Sequence, residues 1–430
     1  MPARLPTGPP ARYLPPGQNR PLYPGPEQES GVGVGKQPAD SPPLPWFAGP
    51  DTRSWTCRPA EQVRSGEVRG FHGGLPGYAP TPLTEVPALA AELGVGRVFV
   101  KDESGRLGLP AFKVLGASWA VRQVLAGGPD RTGVPSGQAT LAGLRSLAAG
   151  RPGLAFVTAT DGNHGRAVAR MARLAGVPAR VFVPAVIQPP VIAAIESEGA
   201  RVTRVAGDYD ETVTAAAGWA RAHPGTELIQ DTAWPDYQQV PAWIAEGYST
   251  LFAEADDQLA AADAAPPALV VVPVGVGSLA QAAVAHYRAA GTPPRGPAAP
   301  LGRRTALLAV EPETAACLLA SLHAGTPVSV PTAATIMAGL NCGTVSAAAW
   351  PYLRAGLDGA VAVSDAAARR AVADLAAAGI CAGPSGAASL AGARAVLTGP
   401  GSASRRGILA AGTSPAVVLL NTEASLAVPQ

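Results

Sequence analysis

The sequence predicts an α/β protein with open, mostly parallel sheets covered by helices on both faces, built as two domains. Three observations carry this. Short apolar runs rich in Val, Ile and Leu alternate with helix-like segments through the middle of the chain. Strand-like runs end repeatedly in Gly-flanked polar turns that open helices, where such sheets bind ligands. Finally, 430 residues with 47% hydrophobic content can fill more than one sizeable core.

Composition narrows the function classes. The net charge is +2 and the arginines are scattered among acids, so there is no basic run of the kind nucleic acid or an anionic membrane would select. A small molecule is the expected partner. No basic segment followed by an apolar core opens the chain, and no apolar run approaches the roughly 18–20 residues of a membrane span, so a cytoplasmic protein is expected. The four cysteines, Cys57, Cys317, Cys342 and Cys381, have no CxxC spacing, so no metal or redox site is expected of them.

Residues 1–70 are Pro- and Gly-rich and cannot bury enough apolar surface to offset ordering entropy, which predicts an extended or disordered arm. GVGVGK at 31–36 has no strand before it and no helix after it, so it reads as a linker and not as a phosphate loop. Trp46, Phe47 and Trp55 are candidates to pin the arm's end. Val98–Val100 signal a buried strand, and Val114, Ala117, Val121 and Leu125 give the next helix its apolar face. A Gly/Pro/Ser-rich loop fills 127–137. Strands are then predicted at Leu154, Ala179, Arg201 and Glu227, with helices from His164, Pro190 and Asp210 between them. One long helix is predicted over Val240–Ala264, and further buried strands at Leu269, Ala306 and Ala416.

Four segments carry chemistry. The first is LGLPAFKVLGASWA at 107–120, which sets Lys113 at a turn opening an apolar helix. The only other lysines are Lys36 and Lys101, and arginine cannot form an imine, so Lys113 is the leading candidate for imine chemistry. The second is TATDGNHGRAVA at 158–169, where Asn163 and the turn's N–H groups can hold a phenolate or carboxylate; Asp161 or Asn163 acting as an ordinary helix cap also satisfies the spacing. The third is PVGVGSLAQ at 273–281. Its glycines let a backbone approach one phosphate at a helix N-terminus, and Ala280 breaks the dinucleotide pattern. In the fourth, AVVLLNTEAS, a strand delivers Asn421 and Thr422 to its end, where a neutral amide or hydroxyl can hydrogen-bond a pyridine nitrogen. Together these describe a pyridoxal 5'-phosphate site.

The chain also resembles the diaminopropionate ammonia-lyases, which belong to the fold type II, tryptophan synthase β-like pyridoxal-phosphate enzymes. The likeness runs from Phe71 to the C-terminus through FHGGLPGYAPTPL, VKDESGRLGLPAFKVLGAS, TDGNHGRAVA, QDTAWPDY followed by PAWIAEGY, GVGSLAQ, VEPETAAC and TIMAGLNCGTVS. It implies a homodimer that eliminates ammonia from the amino-acid substrate 2,3-diaminopropionate. A large cofactor domain would comprise 71–124 and 236–430, and a smaller mobile domain would be inserted at 125–235. Lys113 would hold the cofactor covalently, Asn163 would contact its phenolic oxygen, Gly275, Val276, Gly277 and Ser278 its phosphate, and Thr422 or Asn421 its ring nitrogen. Asp161 and Asp231 match the two active-site aspartates implicated with substrates of either Cα configuration. Ser118, Thr160 and Gly339 are candidates for substrate binding.

Two departures stand out. The family's GESGA-like turn is AGPSGAAS here, with Pro384 in place of Glu, and the final strand ends NTEAS instead of STEGDT. Cys317 and Cys342 match family positions where a disulfide can form, and the resemblance leaves them reduced or conditionally paired in a reducing compartment. A serine/threonine dehydratase or β-replacement enzyme of the same fold is the nearest alternative, and a cofactor-dead binding relative a more distant one.

Overall fold

The structure, a computed structural model, describes residues 46–49, 55–57, 65–127, 140–289, 305–409 and 415–425. The glycine run at 31–36 and most of the loop expected at 127–137 lie outside these residues. Eleven strands are described. They are β1 (Trp46–Ala48), β2 (Leu83–Glu85), β3 (Arg97–Asp102), β4 (Ala155–Ala159), β5 (Ala179–Pro184), β6 (Arg201–Val205), β7 (Thr226–Leu228), β8 (Leu269–Pro273), β9 (Ala306–Pro312), β10 (Gly359–Val363) and β11 (Ala416–Asn421).

They form a seven-stranded sheet in the order β1-β10-β9-β8-β11-β3-β2 and a four-stranded sheet in the order β6-β5-β4-β7. Only β1 on β10 and β2 on β3 pair antiparallel; every other pairing is parallel. The central strands β8, β9 and β11 are buried along their whole length, which is why they read as continuous apolar runs and not as alternating ones. Successive residues of β3 face opposite cores: Phe99 packs with the helix Lys113–Leu125, whereas Val98 and Val100 pack with the helix Pro384–Leu397.

Three expectations change. The stretch 1–70 is not wholly an extended arm, because Trp46–Ala48 adds an edge strand to the large sheet and a helix begins at Ser65. The edge strand depends on Gly359, where a Cβ would lie 2.6 Å from the Trp46 ring. The sequence reading missed β10, whose GAVAV run lacks the bulky residues that usually mark a strand. The predicted long helix over 240–264 is two helices, Gln239–Gly247 and Ser249–Ala261, meeting at Tyr248, whose ring packs on Phe112 at 4.7 Å.

One buried polar network locks the larger sheet to the loop that precedes Lys113. Glu254 accepts from Lys101 Nζ at 2.8 Å and from both terminal nitrogens of Arg106 at 2.7 Å, while Glu103 accepts from Arg106 at 2.6 and 2.8 Å. The four charged side chains expose no surface, so two cations and two anions neutralise each other in the interior. Arg106 thereby fixes the start of a loop in which Leu107 takes φ 52°, a strained value for a branched side chain. Replacing Glu254 by Ala leaves two buried cations sharing one carboxylate. The expected cost is about 3–5 kcal/mol, read from the denaturant midpoint, and an unchanged midpoint would contradict this account of the network.

Candidate active site

Lys113 is placed by two strands at once. The loop leaving β3 turns back along the segment that follows β11: Phe112 N donates to Thr422 O at 3.3 Å, Ala424 N donates to Pro110 O at 2.8 Å, and Ala111 bridges Glu423. The helix Lys113–Leu125 then begins at the lysine, and every residue after Lys113 in it is buried. That packing leaves the amine at the helix mouth, lining a cavity of ≈420 Å³.

The amine donates to Asp231 Oδ2 at 2.6 Å. Asp231 follows β7 and is 3% exposed. Its other oxygen accepts from Tyr209 Oη and from Gln230 Nε2, both at 3.2 Å. Its backbone carbonyl accepts from Ser278 Oγ at 2.6 Å. Burial alone would favour a neutral carboxyl, but His164, Lys113 and the hydrogen bonds from Lys113 and Tyr209 hold Asp231 well below the ordinary carboxylate range. Burial likewise opposes the Lys113 ammonium, and the Asp231 charge overcomes it and raises the amine. His164 lies 3.8 Å from Asp231, donates from Nε2 to Ile229 O at 2.8 Å, and is held below its usual value by burial.

The turn after β4 brings a second acid. Thr160 Oγ1 accepts from Gly162 N at 2.9 Å and Gly165 N at 3.1 Å, shaping a turn in which Gly162 takes φ 154°. Gly165 has no alternative, since a Cβ there would sit 2.3 Å from Thr160. Asp161, on this turn, is pushed up to about 7, first by burial and then by the neighbouring Asp231 charge, with Lys113 acting in the opposite direction. Asn163 opens the next helix, and its Nδ2 donates to Glu423 Oε2 at 2.7 Å.

Gly275–Ser278 close the cavity at the N-terminus of the helix Ser278–Tyr287. Gly277 precedes the helix at φ 101°, and a Cβ on Gly275 would meet Gly339 O at 3.0 Å. Bare backbone N–H groups at a helix N-terminus are the donor set a phosphate monoester requires. These residues, with an amine and a carboxylate across the cavity, fit pyridoxal phosphate.

Of the residues singled out from sequence, Lys113, Thr160, Asp161, Asn163, Asp231, Gly275, Val276, Gly277, Ser278, Gly339 and Thr422 all line this cavity. Ser118 does not. It lies five residues beyond Lys113, hence rotated well off the lysine's face of the helix, and its hydroxyl is taken by Leu115 O and His72 at 3.1 Å. Asn421 also points away and donates to Asp102 at 2.7 Å, which leaves Thr422 as the strand-end residue at the cavity. Pro384 lines the wall, and Cys317 and Cys342 are buried free thiols. Sequence reasoning passed over Tyr209, His164 and Glu423. His164 lay inside a motif that had been singled out, whereas Tyr209 follows a helix-capping Asp208 with no chemical signature of its own.

Asp231→Asn removes the charge that keeps Lys113 protonated, so the neutral fraction of the amine should rise by up to about tenfold per unit of lowered pKa. Amine-directed labelling of Lys113 at pH 8 should accelerate accordingly, and an unchanged rate would contradict the ion pair.

The geometry agrees with comparisons to known proteins. The profile of the family described as pyridoxal-phosphate dependent enzyme matches residues 75–409. The diaminopropionate ammonia-lyase of Salmonella typhimurium is 36% identical over 295 residues, covering 67% of this chain and 69% of that protein. A crystal structure of the Escherichia coli diaminopropionate ammonia lyase in complex with D-serine superposes with a TM-score of 0.76 at 30% identity, covering 88% of this chain and 93% of that one. The same enzyme in complex with an aminoacrylate-PLP azomethine reaction intermediate gives a TM-score of 0.75. The chain belongs to the pyridoxal-phosphate-dependent enzymes of fold type II, in their diaminopropionate ammonia-lyase group.

Proposed function

We propose that this protein converts 2,3-diaminopropionate and water to pyruvate and two molecules of ammonia. The observation that carries the reading is the Lys113–Asp231 contact facing a second acid, Asp161, across a cavity with a phosphate cradle. Lys113 would hold the cofactor through its amine, the N–H groups of Gly275–Ser278 its phosphate, Asn163 its ring hydroxyl oxygen and Thr422 its ring nitrogen. When bound, the pyridoxal ring supplies an electron sink for charge at the substrate α-carbon.

The protein's own groups manage protons. Lys113 Nζ donates to Asp231 Oδ2 at 2.6 Å, and the two form one acid/base unit. Asp161, half-ionised near neutrality, forms the other. In this reading Lys113, as the free neutral amine, takes the α-proton of one substrate enantiomer while Asp231 holds the ammonium that results, Asp161 takes that of the other, and the β-amino group leaves as ammonia. A carboxylate at Asp161, where threonine dehydratases carry Ser, also complements a substrate with a second, cationic amino group. We extend the proposal to a cytoplasmic homodimer in which 125–235 forms a smaller domain closing on the cofactor domain of 71–124 and 236–430. The four-stranded sheet within 155–228 supports that division, and no helix among the described residues is long and apolar enough to cross a membrane.

Pyruvate or 2-oxobutyrate release from diaminopropionate, serine and threonine tests the substrate. The expected order puts diaminopropionate first, and a preference for serine or threonine would replace the assignment with a dehydratase. With the two diaminopropionate enantiomers, Asp161→Asn and Asp231→Asn should each lose about 10²–10⁴-fold in turnover of a different isomer. Equal losses on both isomers would contradict the division of labour. Acting as a base, Asp161 must be ionised, so turnover of the isomer it serves should be present above pH 7 and fall as pH drops through about 7. That inflection should be absent for the same isomer if another group is the base.

A further inference from the structure

We propose that Glu423 is a positioning residue for Asn163, and through it for the cofactor ring oxygen that Asn163 serves. The inference rests on the cofactor reading above. Glu423 follows the last strand and is held on both sides, because Ala111 bridges it and Ala424 N donates to Pro110 O. Its side chain spans two elements: Oε2 accepts from Asn163 Nδ2 at 2.7 Å and Oε1 accepts from Ser385 N at 3.2 Å. Its backbone carbonyl accepts from Gly383 N at 2.8 Å.

There is little slack around this carboxyl group. A Cβ on Gly383 would lie 2.9 Å from Glu423 Cγ and 3.0 Å from Oε1, so the turn before the helix Pro384–Leu397 closes directly on the side chain. Pro384 has no N–H, and Gly383 offers that helix no side-chain cap, so Glu423 receives the helix's first available donor, Ser385 N. With Pro384 where the family turn carries Glu, the acids lining the cavity among the described residues are Asp161, Asp231 and Glu423.

The chemistry follows from the donor inventory. An asparagine amide presents NH₂ at one end and a carbonyl at the other, and a neighbouring carboxylate accepts only from the NH₂. Glu423 therefore decides which way the Asn163 amide faces and leaves its second N–H free to donate to a ring oxygen. Burial, the largest influence, leaves the Glu423 carboxyl above its ordinary value, and the hydrogen bonds from Ser385 and Asn163 act in the opposite direction. A bare helix cap would account for the Ser385 contact alone.

The test measures affinity for pyridoxal phosphate and the absorbance maximum of the lysine-bound cofactor, with thermal melting alongside, in wild type, Glu423→Gln, Asn163→Ala and the double variant. A glutamine cannot accept from both Asn163 and Ser385. Glu423→Gln should therefore weaken cofactor binding about ten- to hundred-fold, the range expected for a hydrogen bond to a charged group, and shift the band. In the Asn163→Ala background the same change should add less than about twofold. Glu423→Asp, too short to reach Asn163 yet still anionic at the helix end, should reproduce the loss and shows the effect even if the glutamine variant folds poorly. An equal loss with and without Asn163, or a wild-type spectrum and affinity in Glu423→Asp, would overturn the proposal and leave Glu423 a helix cap. Failure of wild type to bind pyridoxal phosphate would instead overturn the cofactor reading on which the proposal stands.

Discussion

The site depends on one pairing of unlike charges, Lys113 at the cavity with the buried Asp231 at 2.6 Å. Each group alone would be driven to its neutral form by loss of water; together they stay charged, with the proton on the amine. The rest of the site secures this contact. Arg106 and Glu254 anchor the loop before Lys113. Ser278 ties the phosphate cradle to the Asp231 backbone, and Tyr209 and Gln230 hold the second Asp231 oxygen. A displacement of the cradle would therefore be felt directly at the acid.

Parallel strands explain why so many functional groups converge. The C-terminal ends of parallel strands lie on one edge of a sheet, and ligands bind outside that edge. Here β3 leads to Lys113, β8 to Gly275–Ser278 and β11 to Thr422 and Glu423, all from the larger sheet. From the smaller sheet, β4 leads to Asp161 and Asn163, and β7 to Asp231. The amine and the Gly275–Ser278 turn thus come from one sheet and the two aspartates from the other, and the Lys113–Asp231 and Ser278–Asp231 contacts both join the two.

Much of this was legible in the chain because the relevant signals are local. Continuous Val/Leu runs mark β8, β9 and β11, and glycines mark the turns where backbone must approach a ligand or another chain segment. What remained hidden depends on tertiary packing. The GAVAV strand is held between β9 and the edge strand at Trp46, the latter a contact across more than three hundred residues. The break at Tyr248 is set by packing against Phe112. Ser118 has the right residue type close to Lys113, but helical rotation turns it into the core toward His72. Glu423 looked like part of a strand terminus, and only the meeting of β11 with the Asn163 turn and the Pro384 helix shows what its carboxyl group touches.

The central claim is that this site expels an amino group from the β-carbon as well as releasing the one on the α-carbon. Ammonia and pyruvate counted together in a single reaction with 2,3-diaminopropionate test it most directly. The account predicts two ammonia molecules for each pyruvate; one ammonia for each pyruvate, or ammonia release without pyruvate, would contradict it.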